Sequence, residues 1–152
     1  MAFLYLSLGS NLGDKRKNIE QAITLLSERV GGMLALSKLY ETEPWGYQSD
    51  KKYLNAAALF ETYLSPEKIL LVTESIETAC GRLQKTIGNN YHDRTIDIDV
   101  LLYNNLILQT PRLTIPHPLM HLRPYVLKPL SEIAPDAIHP VIGKSIIELC
   151  DL

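Results

Sequence analysis

At 152 residues the chain has the size of one ordinary domain, long enough to bury a sizeable core. A composition of 46% hydrophobic and 21% charged residues excludes disorder as the main state. Lys+Arg 15 against Asp+Glu 17 leaves a formal net charge of -2, which disfavours general attraction to nucleic-acid backbones. One domain over residues 1–152 is expected. Cys80 and Cys150 stand singly, with no C-x-x-C pair and no His at zinc spacing, and are expected to be free thiols, buried or half-buried, in a reducing compartment. No apolar run approaches the roughly 18 residues that span a bilayer, and the N-terminus lacks a signal-peptide pattern. A cytoplasmic protein without membrane or nucleic-acid partners, working as a monomer, is the expectation.

Residues 2–7 form an apolar, aromatic strand ending in the turn Gly9-Ser10-Asn11-Leu12-Gly13. A helix follows from about Asp14, with Ile19, Ala22, Ile23, Leu26 and Val30 at helical spacing, and Gly31-Gly32 stops it. Residues 33–43 are strand-like and run into Pro44-Trp45-Gly46. Residues 53–63 make a further strand, with Tyr53, Asn55, Ala57 and Leu59 sharing one face. Ser65-Pro66-Glu67 is a strong helix start, and Ile69, Val72, Ile76, Ala79 and Leu83 line one side of the helix it opens. Residues 95–103 are a strand, after which the chain is Pro-punctuated, with short helices at 125–133 and 145–150. The order β-α-β-β-α-β with a helical, loop-rich tail points to an α+β, ferredoxin-like fold, two helices on a mainly antiparallel sheet. That fold serves enzymes and RNA-binding modules alike, so the chemistry must come from the side chains.

In Arg94-Thr95-Ile96-Asp97-Ile98-Asp99-Val100-Leu101-Leu102 the isoleucines, Val100 and Leu102 alternate with Thr95, Asp97, Asp99 and Leu101. Residues i and i+2 of a strand point the same way, roughly 7 Å apart, so two carboxylates stand side by side. They repel unless a cation lies between them, and their hard oxygens suit Mg²⁺. Arg82 and Arg94 flank this strand. From Arg112 to Ser131 the chain holds Arg112, His117, His121, Arg123 and Lys128 with no acidic residue. A carboxylate pair beside several arginines equips a protein for phosphoryl-type transfer. No Walker A lysine follows the glycine-rich turn. Thr42, Trp45, Tyr53 and Asn55 form a third group: an Asn amide matches the mixed edge of a nitrogen heterocycle, and the faces of Tyr53 and Tyr125 suit stacking on such a ring.

Taken together, these segments resemble the 6-hydroxymethyl-7,8-dihydropterin pyrophosphokinase family. The resemblance runs from Leu6-Ser7-Leu8-Gly9-Ser10-Asn11-Leu12-Gly13 to Pro129-Leu130-Ser131-Glu132-Ile133-Ala134-Pro135. Its most specific pieces are Tyr53-Leu54-Asn55-Ala56-Ala57, the Arg94 to Leu101 segment, and Arg112-Leu113-Thr114-Ile115-Pro116-His117-Pro118. The resemblance implies transfer of pyrophosphate from ATP to a pterin alcohol, a step of folate biosynthesis, with two Mg²⁺ ions held between the triphosphate and Asp97 and Asp99. It implies that Arg82 and Arg94 steady the phosphates and that Arg112, Thr114, His117 and Arg123 contact the nucleotide, with Glu77 and the Ile98 backbone nearby. The pterin would lie between Tyr53 and Tyr125, with Asn55 reading its edge and backbone around Thr42 and Trp45 contributing. Loops 44–52 and 87–93 are expected as lids, with Tyr91 in place of the family's lid tryptophan.

The chain departs from the family pattern at Gln84, where a second Arg is common, in Tyr91-His92-Asp93-Arg94, at Glu74, where Gln is common, and at Pro118. Two competing readings predict other patterns. An RNA-binding module would present an aromatic, basic sheet face, and a metal-dependent phosphohydrolase would not need Tyr53 and Asn55.

Overall fold

The computed structural model describes residues 1–43, 52–81 and 95–151. Its sheet is organised around β1 (Ala2–Ser10), which runs antiparallel to β4 (Tyr53–Thr62) on one side and to β5 (Asp97–Tyr103) on the other. β2 (Gly31–Leu36) and β3 (Tyr40–Thr42) pair in succession with the far side of β4. The strand order β2-β4-β1-β5, all antiparallel, is the ferredoxin-like arrangement expected from the element order.

α1 (Lys15–Arg29) and α2 (Pro66–Ala79) cover one face of this sheet. Asp14 caps α1, its Oδ1 accepting from the Lys17 N–H, and Ser65 caps α2 from the Lys68 N–H, with Pro66 at the first helical position. Leu4, Leu6 and Leu8 of β1 meet Ile19, Ala22 and Leu26 of α1 and Ile69 and Ile76 of α2, all fully buried. Each Leu or Ile so buried contributes roughly 1.5–3 kcal/mol against solvent exposure.

The tail does more than the sequence suggests. α3 (Pro124–Ile133) and α4 (Ile146–Cys150) pack on the opposite sheet face, where Val126, Leu127, Leu130, Ile146 and Leu149 bury Ala57, Leu101 and Leu102. The sheet is therefore covered on both sides, which is why β4 is continuously buried from Asn55 to Ala58 instead of alternating. Between β5 and α3 a small hairpin, β6 (Leu108–Gln109) with β7 (Thr114–Ile115), and a 3-10 turn (Met120–Leu122) replace the expected loop.

Three further expectations need correction. The single strand over 33–43 is two, because the ladder breaks at Ser37, and Gly31-Gly32 open β2 after α1 closes on Val30. The alternation read through Leu102 ends one residue early. Between Tyr5 and Leu6 the register against β5 shifts, Leu101 becomes the extra residue of a bulge, and Leu101 and Leu102 both join the second core. Cys80 is buried but Cys150 is exposed, and both are free. Leu83, expected at the end of α2, lies outside the described residues; the helix ends at Ala79, followed by Gly81 at φ 97°. Among the described residues no helix is long and apolar enough to cross a membrane.

Candidate active site

The alternation of β5 sends Ile98 and Val100 into the core under α1 and α2, and therefore sends Asp97 and Asp99 to the other face. On that face the register aligns side chains in rows across the strands. Asp97 stands opposite Gly9, Gly9 opposite Asn55, and Asn55 opposite Tyr40; the neighbouring row is Asp99, Ser7 and Ala57. Both aspartates are half-buried, and α3 covers only the part of the face beyond them.

Gly9 is the narrow point of the first row. A Cβ added there would stand 3.1 Å from Asn55 Oδ1 and 3.4 Å from Tyr53 Cδ1, so the missing side chain leaves room for both. Asn55 is buried, and its Nδ2 donates to Thr42 Oγ1 at 2.6 Å, a bond that the pairing of Thr42 with Tyr53 brings within reach. Thr42, Tyr53 and Asn55, grouped in the sequence by their places flanking one loop, thus form one wall.

The opposite wall begins at the start of α3. Arg123, its N-terminal flanking residue, is buried, with Nη1 4.0 Å from Asp99 Oδ2 and Cζ 5.8 Å from the centre of the Tyr125 ring. A guanidinium held over an aromatic face and beside a carboxylate is fixed in direction as well as charge. His117 is tied to β5 by its own N–H, which donates to Leu101 O at 3.0 Å. The Leu119 N–H donates to His117 Nδ1 at 3.1 Å, which places the ring proton on Nε2. Burial, and secondarily the Arg123 charge, lower the His117 pKa to about 4 against the opposing pull of Asp97. His117 is therefore a neutral N–H donor at physiological pH.

Next to Asp99 a cleft of about 300 Å³ opens between α2, β5 and the β6–β7 hairpin. Leu70, Ile98 and Val100 supply an apolar floor, and Arg112, Thr114 and His117 supply polar groups. The cleft is mixed in character, with apolar side chains on its floor and Asp99, Thr110, Arg112, Thr114 and His117 around it, which suits a flat heterocycle carrying polar edges. Arg112 does not stand alone: its Nη2 lies 2.7 Å from Glu74 Oε1. Glu77, expected beside a nucleotide, is buried, and its Oε2 accepts from the Ile98 N–H at 2.9 Å. It holds the backbone of the residue between the two aspartates, and so occupies the Ile98 N–H.

Of the site residues expected from the sequence, Thr42, Tyr53, Asn55, Asp97, Asp99, His117, Arg123 and Tyr125 thus line one continuous face, with Thr114 and Arg112 in the adjoining cleft. Trp45, Arg82, Tyr91 and Arg94 lie outside the described residues, as do the expected lid loops 44–52, but for Lys52, and 87–93. Leu70, Val100 and the Glu74 partner of Arg112 were not anticipated. Leu70 and Glu74 sit one turn apart on α2, so a helical projection from the Ser65 cap puts them on a shared side.

The sequence model of the 7,8-dihydro-6-hydroxymethylpterin-pyrophosphokinase family, abbreviated HPPK, matches residues 5–135. This chain belongs to that family. A 2-amino-4-hydroxy-6-hydroxymethyldihydropteridine pyrophosphokinase of Porphyromonas gingivalis is 49% identical over 141 residues, covering 92% of this chain and 95% of that protein. The protein of the same name from Aquifex aeolicus is 36% identical over 148 residues, 97% of this chain and 90% of that one. The folic acid synthesis protein fol1 of Schizosaccharomyces pombe is 40% identical over 97% of this chain, which spans only 20% of fol1. Among solved structures, wild-type HPPK-DHPS of Plasmodium falciparum with pteroate superposes at a TM-score of 0.79 and 17% identity, covering 99% of this chain and 42% of that one. An HPPK-DHPS in complex with substrates gives 0.78 at 16% identity, with 43% of its length covered. The chain thus spans less than half of these structures, and the likeness to them is one of fold.

Proposed function

We propose that the chain transfers the pyrophosphoryl group of ATP to the hydroxymethyl oxygen of 6-hydroxymethyl-7,8-dihydropterin, releasing AMP and the pterin diphosphate, with Mg²⁺ bound by Asp97 and Asp99. The observation that carries this is the row Asp97, Gly9, Asn55. It joins a carboxylate pair to a polar, aromatic-walled pocket across three strands, so a metal-bound triphosphate and a heterocycle would meet end to end.

The two aspartates fit Mg²⁺. They offer hard oxygens on one face, and among the described residues no group of three His, Cys, Asp or Glu forms a complete cage. Mg²⁺ is usually held by one or two carboxylates and keeps waters and substrate phosphate oxygens for the rest of its shell. When bound, two such ions would neutralise the triphosphate and favour in-line geometry at the β-phosphorus.

The protein's own groups then have distinct tasks. Leu70, Ile98 and Val100 flank the adenine, with Thr114 and Arg112 at its edge and sugar. His117 donates its Nε2–H and Arg123 its guanidinium to the phosphates, while Arg82 and Arg94 take the transferring group, as the family resemblance implies. Asn55 spends one N–H on Thr42, leaving its carbonyl and second N–H to read the pterin edge between Tyr53 and Tyr125. Trp45 and Tyr91 belong to the loops that close over it. The new O–P bond forms at the β-phosphorus as the bond to the α,β-bridging oxygen breaks, and the alcohol proton passes to solvent. The proposed setting is the cytoplasm, with the monomer as the working unit.

Product analysis with ATP, Mg²⁺ and the pterin alcohol tests this. AMP and pterin diphosphate in equal amounts, abolished by chelation and restored by Mg²⁺, are expected, and Asp97→Ala or Asp99→Ala should lower turnover by orders of magnitude in a protein that still melts cooperatively. Formation of ADP or inorganic phosphate, or full activity in either variant, overturns it.

A further inference from the structure

Tyr40 and Glu132 lie outside the set of residues assigned to either substrate, yet they tie together the two walls of the pterin pocket. The ladder between β2 and β4 ends at Ser37, whose N–H donates to Ala57 O and whose Oγ accepts from the Ala57 N–H, both at 2.9 Å. That side-chain substitution turns the Lys38 N–H out of the sheet, where it donates to Glu132 Oε2 at 3.0 Å. The Tyr40 hydroxyl donates to Glu132 Oε1, and Lys128, one turn earlier on α3, places its ammonium 5.7 Å from the centre of the Tyr40 ring. Tyr40 is thus gripped between a cation and an anion on the same side of α3.

The consequences reach the pocket through short paths. Tyr40 is paired with Asn55 in the sheet, and two residues on Thr42 accepts the Asn55 side-chain bond. At the other end of the grip, α3 carries Tyr125, with Arg123 flanking its start. The spacing between the Thr42–Asn55–Tyr53 wall and the Tyr125 wall therefore depends on how β3 is held to α3.

We propose that Tyr40 and Glu132 are positioning residues for the pterin: their hydrogen bond, with that of Lys38, sets the width of the pterin pocket and leaves the nucleotide cleft untouched. This rests on the placement of the pterin given above. The electrostatics agree. The Tyr40 hydrogen bond is the largest influence on Glu132, holding its carboxyl below the ordinary range, and in return the Tyr40 phenol is raised. Charge-assisted bonds of this kind are stronger and more directional than neutral ones. The nucleotide cleft is built from α2, β5 and the β6–β7 hairpin, none of which takes part in the grip; Arg123, assigned above to the phosphates, flanks the far end of α3 and is held beside Asp99 of β5.

The test compares steady-state kinetics of the wild type, Tyr40→Phe, Glu132→Ala and Glu132→Gln, with Asn55→Ala as a control on the pterin placement. Tyr40→Phe and Glu132→Ala should raise KM for the pterin alcohol by about fivefold or more, with KM for ATP moving less than about twofold and kcat falling less than the pterin KM rises. Glu132→Gln keeps one acceptor, for the Lys38 N–H, and an amide N–H that the Tyr40 hydroxyl can accept, but not the charge, and should recover part of the loss. The Tyr40→Phe, Glu132→Ala double variant should be no worse than Glu132→Ala alone, since the two residues act through one bond. Should Glu132→Ala melt too low to assay, Tyr40→Phe, which keeps the ring and the Lys128 contact, carries the comparison. Parallel rises in both KM values show a general loosening and overturn the inference. So does an unchanged pterin KM in Tyr40→Phe while Asn55→Ala raises it. If Asn55→Ala also leaves that KM unchanged, the pterin placement itself is wrong and the inference falls with it.

Discussion

Replacing His117 with asparagine tests how far the site is built around a neutral ring. In the folded chain His117 titrates at about 4 instead of 6.5, with burial as the leading cause and Arg123 second. Above the ordinary histidine range neither folded nor unfolded His117 is charged, and the group contributes no pH dependence. As the pH falls through 6.5 the unfolded chain takes up a proton that the folded ring refuses, so stability is lost progressively until about 4, where the folded ring also charges. At roughly 1.4 kcal/mol per pH unit the interval is worth about 3 kcal/mol; because His117 is only half-buried, about 2–3 kcal/mol is the expected loss. Asparagine keeps an acceptor for the Leu119 N–H and has nothing to titrate. Urea unfolding of the metal-free wild type and of His117→Asn, from about pH 7.5 to about pH 4.5, isolates the effect. The wild type should lose about 2 kcal/mol more than the variant over that range. A stability difference that stays constant with pH would show that folded His117 charges normally and that its role as a neutral donor is wrong. A companion measurement follows from the same sign: a triphosphate beside the ring favours its protonated form, so nucleotide binding near pH 5 should take up a proton, about one or less per site, detectable by calorimetry in buffers of different ionisation enthalpy.

Gly31→Ala places a Cβ 1.9 Å from Glu61 O, a backbone atom that cannot rotate away, so the β2–β4 pairing must shift. A cost of about 3 kcal/mol or more is expected, read as a fall of roughly 6–12 °C in Tm, and a change below 2 °C would refute the close approach. Glu77→Ala strips the acceptor from the buried Ile98 N–H and should cost about 1–3 kcal/mol in urea unfolding, with Glu77→Gln recovering part of it; equal stability of all three proteins would deny the bond. Gly9→Ala presses on Asn55 Oδ1 and Tyr53. Its expected signature is a raised KM for the pterin alcohol with Tm nearly unchanged, and an unaltered pterin KM would show that the pocket has slack at that point.

Much of the layout was legible in the sequence because its signals are local. Asp14, Ser65 and Pro66 mark helix starts by chemistry that acts within one turn, and the period of two around Asp97 and Asp99 fixes which face both carboxylates share. The grouping of Thr42, Tyr53 and Asn55 was readable from their places flanking one loop, but the bond between Asn55 and Thr42 exists only because β3 and β4 pair in one register. Three features had no local signal. The break at Ser37 depends on a hydroxyl substituting for a backbone partner on another strand, the bulge at Leu101 depends on β1, and the covering of the second sheet face depends on where a Pro-rich tail returns.

The near-neutral composition could be resolved into an acidic pair and a basic, acid-free segment by inspection of the chain alone, and so could the family to which those segments belong. What those charges do to one another was decided by tertiary structure. Arg123 is set beside Asp99, Arg112, in the turn between β6 and β7, is taken by Glu74 of α2, and His117 is discharged by burial next to Arg123. The division has a physical origin. Residue type and spacing determine which groups a strand or helix presents, over distances of a few residues. Charge pairing, burial and the width of a pocket are set by segments far apart in the chain, whose approach is settled only when both faces of the sheet are packed.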